Sequence, residues 1–168
     1  MTSYHIEGPW PGKLAIIPRP RGDDWLPDEL RTLKGEGFEV LVSLLTEPES
    51  KELGLDQEAD VSRSVGLDYR NLPIQDLGVP DSFADGDRFI RGIHRALMDG
   101  KKVAIHCRQG IGRSGLIAAA LLVVSGLEPE SAFLLVSRRR GLATPETQLQ
   151  KDWVLELARE IAEPLVRR

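Results

Sequence analysis

The feature that most constrains this chain is a change of pattern between residues 101 and 125. Lys101-Lys102-Val103-Ala104-Ile105-His106 is short and largely apolar, which predicts a buried strand. Gly110, Gly112 and Gly115 then interrupt any regular element. Leu116 to Ser125 is apolar on every side, the pattern of a helix enclosed by the rest of the molecule. A strand, a glycine-rich turn and a wholly buried helix in direct succession require layers on both sides of a sheet. The expected fold class is therefore α/β. It has one central, mostly parallel twisted sheet of about four or five strands flanked by helices.

The rest of the chain alternates in the same way. Leu14 to Pro18 reads as a short strand among loops, because Pro and Gly crowd the first 27 residues. Asp28 to Lys34 predicts a helix, Phe38 to Leu45 a doubly buried strand, and Pro48 to Leu53 a short helix. Leu67 to Ile74 predicts a strand. From Asp81 to Met98 a helix is expected, with Phe83, Ile90, Ile93 and Leu97 facing inward. Pro129 to Arg140 and Glu146 to Ala162 predict two more helices, the last with Leu149, Trp153, Leu157 and Ile161 as its inward stripe. The 168 residues suit one domain spanning 1–168, with no repeat or linker.

Composition removes several classes. Net charge is −4, which speaks against a dedicated nucleic-acid binder. The longest apolar run, Leu116 to Val124, is too short to insert through a bilayer. The single cysteine, Cys107, forbids an internal disulfide and fits a reducing, cytoplasmic setting.

That cysteine stands where an α/β sheet binds its ligands, just past the carboxyl end of a strand. His106-Cys107-Arg108-Gln109-Gly110-Ile111-Gly112-Arg113-Ser114-Gly115 gathers backbone amides and a helix N-terminus around one point, which favours an anion. The positive field there lowers the pKa of Cys107. Arg113 offers a planar fork to two oxygens of a tetrahedral anion. Ser114 can donate to the thiolate. A carboxylic acid on a neighbouring loop would complete acid–base chemistry, and Asp76 and Asp81 are the candidates. Asp81 suits the N-cap of the following helix, which favours Asp76 as the acid.

The same ten residues resemble the signature of the cysteine-dependent protein-tyrosine phosphatase superfamily. The Gly-x-Gly-Arg-Ser form, with Pro73-Ile74-Gln75-Asp76-Leu77-Gly78-Val79-Pro80-Asp81 upstream, is most similar to small dual-specificity phosphatases of the cyclin-dependent-kinase-associated kind. The resemblance implies metal-independent hydrolysis through a phosphocysteine on Cys107, with no cofactor. Arg113 and the amides of Arg108, Gln109, Gly110, Ile111 and Gly112 would bind the phosphoryl group, Asp76 would be the general acid, and Ser114 would aid breakdown of the intermediate. His106 would orient the loop.

Further roles are open to Glu47, as the partner that holds Arg113, and to Gln148, as the residue that positions the hydrolytic water. Arg138, Arg139 and Arg140 suit a helix C-terminus on dipole grounds and also suit an acidic substrate. His5 and His94 read as structural. The implied substrate is a phosphorylated protein or peptide carrying phosphotyrosine or phosphoserine/phosphothreonine. Inositol phosphates are the alternative, and a rhodanese-like sulfurtransferase or a non-catalytic phosphate-binding module are the remaining ones.

Overall fold

The computed structural model describes residues 2–163. Among these residues five strands form one sheet: β1 (Tyr4–Ile6), β2 (Lys13–Ile16), β3 (Val40–Ser43), β4 (Asp68–Asn71) and β5 (Lys102–His106). Their order is β1-β2-β5-β3-β4, with β1 antiparallel to β2 and every other pair parallel. Among the described residues seven α-helices surround it: α1 (Leu26–Gly35), α2 (Glu47–Glu52), α3 (Glu58–Ser64), α4 (Phe83–Met98), α5 (Gly112–Val124), α6 (Pro129–Arg140) and α7 (Gln148–Ala162). This is the expected α/β sheet, at its upper strand count. Among the described residues no helix is long and apolar enough to cross a membrane.

Strand alternation divides the core in two. Leu14, Ile16, Val40, Val42, Val103 and Ile105 face one apolar cluster, with Ile90, Ile93 and Leu97 of α4, nearly all of α5, and the inner residues of α6 and α7. Ala15, Leu41 and Ala104 face the other, which Leu26, Leu30 and Leu33 of α1 close. The small alanines of β2 and β5 let the second layer approach closely. Both faces of β5 are covered, so its sequence shows no polar alternation.

Some expectations change. β1 reads as loop in the sequence because three residues between glycines and prolines carry too little pattern. α3 also carries no periodic signal: its fully buried residues are the polar Glu58 and Ser62 rather than an apolar stripe. α5 begins at Gly112, four residues before its apolar run, because the glycine-rich turn itself winds into the first helical turn. Ser82, not Asp81, caps α4, accepting from the Asp85 amide at 3.1 Å. In α7, Leu149 is exposed and Gln150 takes the inward place.

The carboxyl ends of β3, β4 and β5 converge. The segments leaving them carry Thr46–Glu49, the 73–81 stretch and Cys107. Backbone bonds from Leu44 to His106 (3.0 Å) and from Ile74 to Leu44 (3.1 Å) fasten these exits together.

Candidate active site

Cys107 follows β5 directly and is only 3% exposed. Its sulfur accepts from the Gly110 amide at 3.2 Å. Gly110 can aim that amide inward because its φ is +71°, a region costly to side-chain-bearing residues. Gly115 is needed for space: a Cβ there would stand 1.7 Å from Thr144 Oγ1. Burial pushes the Cys107 thiol up, but the Ser114 hydroxyl and amide, the Gly110 amide and the Arg113 charge together hold it below the ordinary thiol value. Ser114 Oγ is buried and meets no full hydrogen-bond geometry in this arrangement, so its influence on the sulfur is that of a nearby dipole.

Arg113 lies in the first turn of α5 and is buried. Its fork grips Glu49, with Nη1 to Oε2 at 2.7 Å and Nη2 to Oε1 at 2.9 Å, and Nη1 also donates to the Ile74 carbonyl at 2.8 Å. The partner is therefore Glu49 and not Glu47. Glu47, at the first position of α2, points outward and pairs with Lys51 at 2.9 Å. Glu49 sits two residues on, where a capping box turns it back: Oε2 accepts from the Thr46 amide at 3.0 Å. Burial pushes the Glu49 carboxyl up, yet Arg113 and Thr46 hold it below the usual carboxylate range. The signal available in the sequence was Thr46-x-x-Glu49.

Asp76 is brought to the same place. Its Oδ1 lies 3.5 Å from Arg113 Nη2 and accepts from the Leu77 amide at 3.1 Å. Asp76, Cys107, Arg108, Gln109, Gly112, Arg113 and Glu146 line one small crevice. Arg108 stands at its rim and pairs with Glu52 at 3.1 Å, while Gln109 is exposed beside it. Ile111 precedes α5 and its carbonyl accepts from Thr144 Oγ1.

Gln148 does not reach this crevice. It is exposed and donates to Asp152 at 2.9 Å. Two neighbours do reach the loop. Glu146 Oε1 accepts the Gly112 amide at 3.1 Å. Gln150 is fully buried and closes the second capping box: its Oε1 accepts from the Glu146 and Thr147 amides, and its Nε2 donates to the Gly78 carbonyl at 3.1 Å. Thr147-x-x-Gln150 carried that signal.

His106 braces the loop from below. Its Nδ1 lies 3.3 Å from the Cys107 carbonyl and its Nε2 2.6 Å from Glu58 Oε1. Burial draws the imidazole down, but the Glu58 carboxylate outweighs it and holds the pKa above the ordinary value. No apolar periodicity marks Glu58. Arg140 holds the outer side. Its guanidinium lies 4.2 Å from the Tyr4 ring centroid and donates to the carbonyls of Gly110 at 2.7 Å and Gln109 at 3.3 Å. Arg139 pairs with Glu7 at 3.1 Å.

A Gly110 amide aimed at the sulfur, a depressed thiol, a clamped guanidinium and a nearby carboxyl suit displacement at a tetrahedral oxyanion. Comparison with known proteins agrees. Residues 17–127 match the family profile described as "Polymorphic toxin system, DSP-PTPase phosphatase". A putative tyrosine phosphatase, 197R, of Invertebrate iridescent virus 6 is 40% identical over 90 residues, covering 51% of this chain and 32% of that protein. Tk-PTP in its active form is 30% identical, with a TM-score of 0.77 over 94% of this chain and 96% of that one. A kinase-associated phosphatase whose catalytic-site cysteine is replaced by serine superposes with a TM-score of 0.85 at 22% identity, over 96% of each chain, a likeness of fold. The chain spans 32% of the length of the viral relative and 65% of that of human cyclin-dependent kinase inhibitor 3.

Proposed function

This chain belongs to the dual-specificity (DSP-PTPase) family of cysteine-dependent phosphatases, and from that premise we propose that it hydrolyses phosphomonoesters of proteins through a phosphocysteine on Cys107. The Cys107 thiolate attacks phosphorus as the P–O bond to the leaving group breaks. Asp76 gives its proton to the departing oxygen. Arg113 and the loop amides hold the equatorial oxygens while charge redistributes. Water then attacks the phosphocysteine, the P–S bond breaks, and Asp76 takes the water's proton back. Ser114 donates to the departing thiolate. No metal or cofactor enters any step.

One observation carries this reading: Cys107, Arg113 and Asp76 line a single crevice although Asp76 and Cys107 stand 31 positions apart along the chain. The substrate is a phosphorylated protein or peptide, with phosphotyrosine and phosphoserine/phosphothreonine both accepted. Inositol phosphates fit less well. Their extra phosphates need uncommitted cations at the rim, and Arg108 is already matched by Glu52. A reducing cytoplasm suits a catalytic thiolate.

The test is p-nitrophenyl phosphate hydrolysis in EDTA by the wild type and Cys107→Ser. Turnover that vanishes in the variant supports the phosphocysteine. Thiosulfate-dependent thiocyanate formation, or phosphopeptide binding without release of phosphate, would replace it with sulfur transfer or a binding module. kcat/KM should be bell-shaped in pH. Its rising limb follows Cys107 ionisation and lies below the ordinary thiol value, because the folded loop favours the thiolate. Asp76→Asn should flatten the falling limb and slow alkyl phosphates about 100-fold, with a smaller loss on aryl phosphates.

A further inference from the structure

Gln75 to Gly78 forms a tight turn closed by the Gly78 amide on the Gln75 carbonyl at 2.8 Å. Its third residue, Leu77, has φ +63°, the position that type II turns reserve for glycine or asparagine. Among the described residues only one other non-glycine, Asp23, has a positive φ. Asp23 belongs to a tolerant residue type, and its carboxylate packs against Gly54. Leu77 has no such reason. It is 52% exposed, whereas Val79, two residues on, leans on the core.

The strained backbone is held from every side. Asp76 Oδ1 accepts the Leu77 amide, Thr147 Oγ1 donates to the Leu77 carbonyl at 3.4 Å, and Gln150 Nε2 donates to the Gly78 carbonyl. A strained residue fixed this firmly beside a reactive crevice is the situation in which strain serves a function. About half of the side chain faces solvent, and that outward half is the part free to meet another molecule. The first turn of α7, to which this loop is tied, adds a second exposed leucine, Leu149, at 57%. The charges nearby are matched internally, Arg108 by Glu52 and Arg113 by Glu49. Beside the polar Asp76, Gln109 and Glu146 of the crevice, Leu77 and Leu149 are the apolar surface on this side that a polypeptide can cover.

We propose that Leu77 is a specificity-determining residue that packs against an aliphatic side chain within two residues of the phosphorylated residue of a protein substrate. This rests on the phosphatase reading above. Burying the exposed half of a leucine on binding corresponds to about five- to tenfold in kcat/KM.

The experiment uses Leu77→Asn, which suits the left-handed backbone but removes the apolar knob, and Leu77→Met, which keeps one. Substrates are p-nitrophenyl phosphate and phosphotyrosine peptides with Leu, Ser or Asp scanned through the two positions on either side. The wild type should prefer a Leu-flanked peptide. Leu77→Asn should lose that preference, with a five- to tenfold fall in kcat/KM, mostly in KM. On p-nitrophenyl phosphate it should change by less than about twofold, and its Tm should hold or rise. Leu77→Met should retain the preference. Equal losses on all substrates, or a Leu preference that survives in Leu77→Asn, would overturn the proposal. A wild type inert toward p-nitrophenyl phosphate would instead remove the phosphatase reading itself, a distinguishable result.

Discussion

The two sides of the crevice are built on the same device. α2 and α7 each begin with a capping box, Thr46-x-x-Glu49 on one side and Thr147-x-x-Gln150 on the other. In each, the third helical residue bends back over the helix start and then continues into the site. The difference lies in charge. Glu49 faces the Arg113 guanidinium and forms two bonds to it, so an ionised carboxylate is required there. Gln150 faces both peptide amides and a carbonyl, the Glu146 and Thr147 N–H groups and the Gly78 oxygen. Only a neutral amide both accepts from the former and donates to the latter. One local solution thus serves an ionic brace and a neutral brace, chosen by what lies opposite.

Breaking the ionic side should have the larger effect. Glu49→Ala leaves a buried guanidinium without its counter-charge and without its fixed orientation. kcat/KM toward p-nitrophenyl phosphate should fall about 100-fold, the scale of a small misplacement of a catalytic group. Retention of more than a tenth of the activity would show that Ile74 and Asp76 suffice to hold Arg113.

Breaking the neutral side should cost about tenfold in kcat/KM. Gln150→Ala removes a helix cap, worth about 1 kcal/mol, and frees the turn that carries Asp76. Thermal unfolding should show Tm lower by about 2–4 °C. The loss should be greater for alkyl than for aryl phosphates if the effect runs through Asp76.

Exchanging the charge types sharpens the contrast. Gln150→Glu places a carboxylate against the Gly78 carbonyl and beside Gly112 of the cysteine loop. A negative charge there disfavours the thiolate, so the Cys107 pKa should rise toward the ordinary thiol value. The pH dependence of iodoacetamide inactivation reads this directly, and an unchanged inflection would mean that Gln150 is electrically remote from the sulfur. The smallest effects belong to the residues at the first helical positions. Glu47→Ala and Gln148→Ala should each change kcat/KM by less than about twofold, since both point to solvent and pair within their own helices.

Those last two residues also mark where sequence reading succeeds and where it stops. The strand, loop and buried helix around Cys107 are legible because apolar periodicity and glycine spacing are strong there. The turn that carries Asp76 is legible from Gly78 and Pro80. Glu47 and Gln148 each lie two residues from the side chain that does the bracing. Composition suggests an acid and an amide in those segments, but only the helix start decides which residue turns inward. Glu58 left no trace in the pattern, because a carboxylate buried against His106 makes its helix look solvent-facing. β1 was hidden by its brevity, and with it the reason for Arg140.

That arginine joins segments far apart in the sequence. Tyr4 comes from the first strand, Arg140 from the end of α6, and the carbonyls they restrain from the loop between them. A contact that closes so long a stretch of chain is among the slowest to gain by chance during folding. During refolding, helix content should therefore return before the sulfur acquires its low pKa, and a reactive thiolate would serve as a clock for the last stage of assembly.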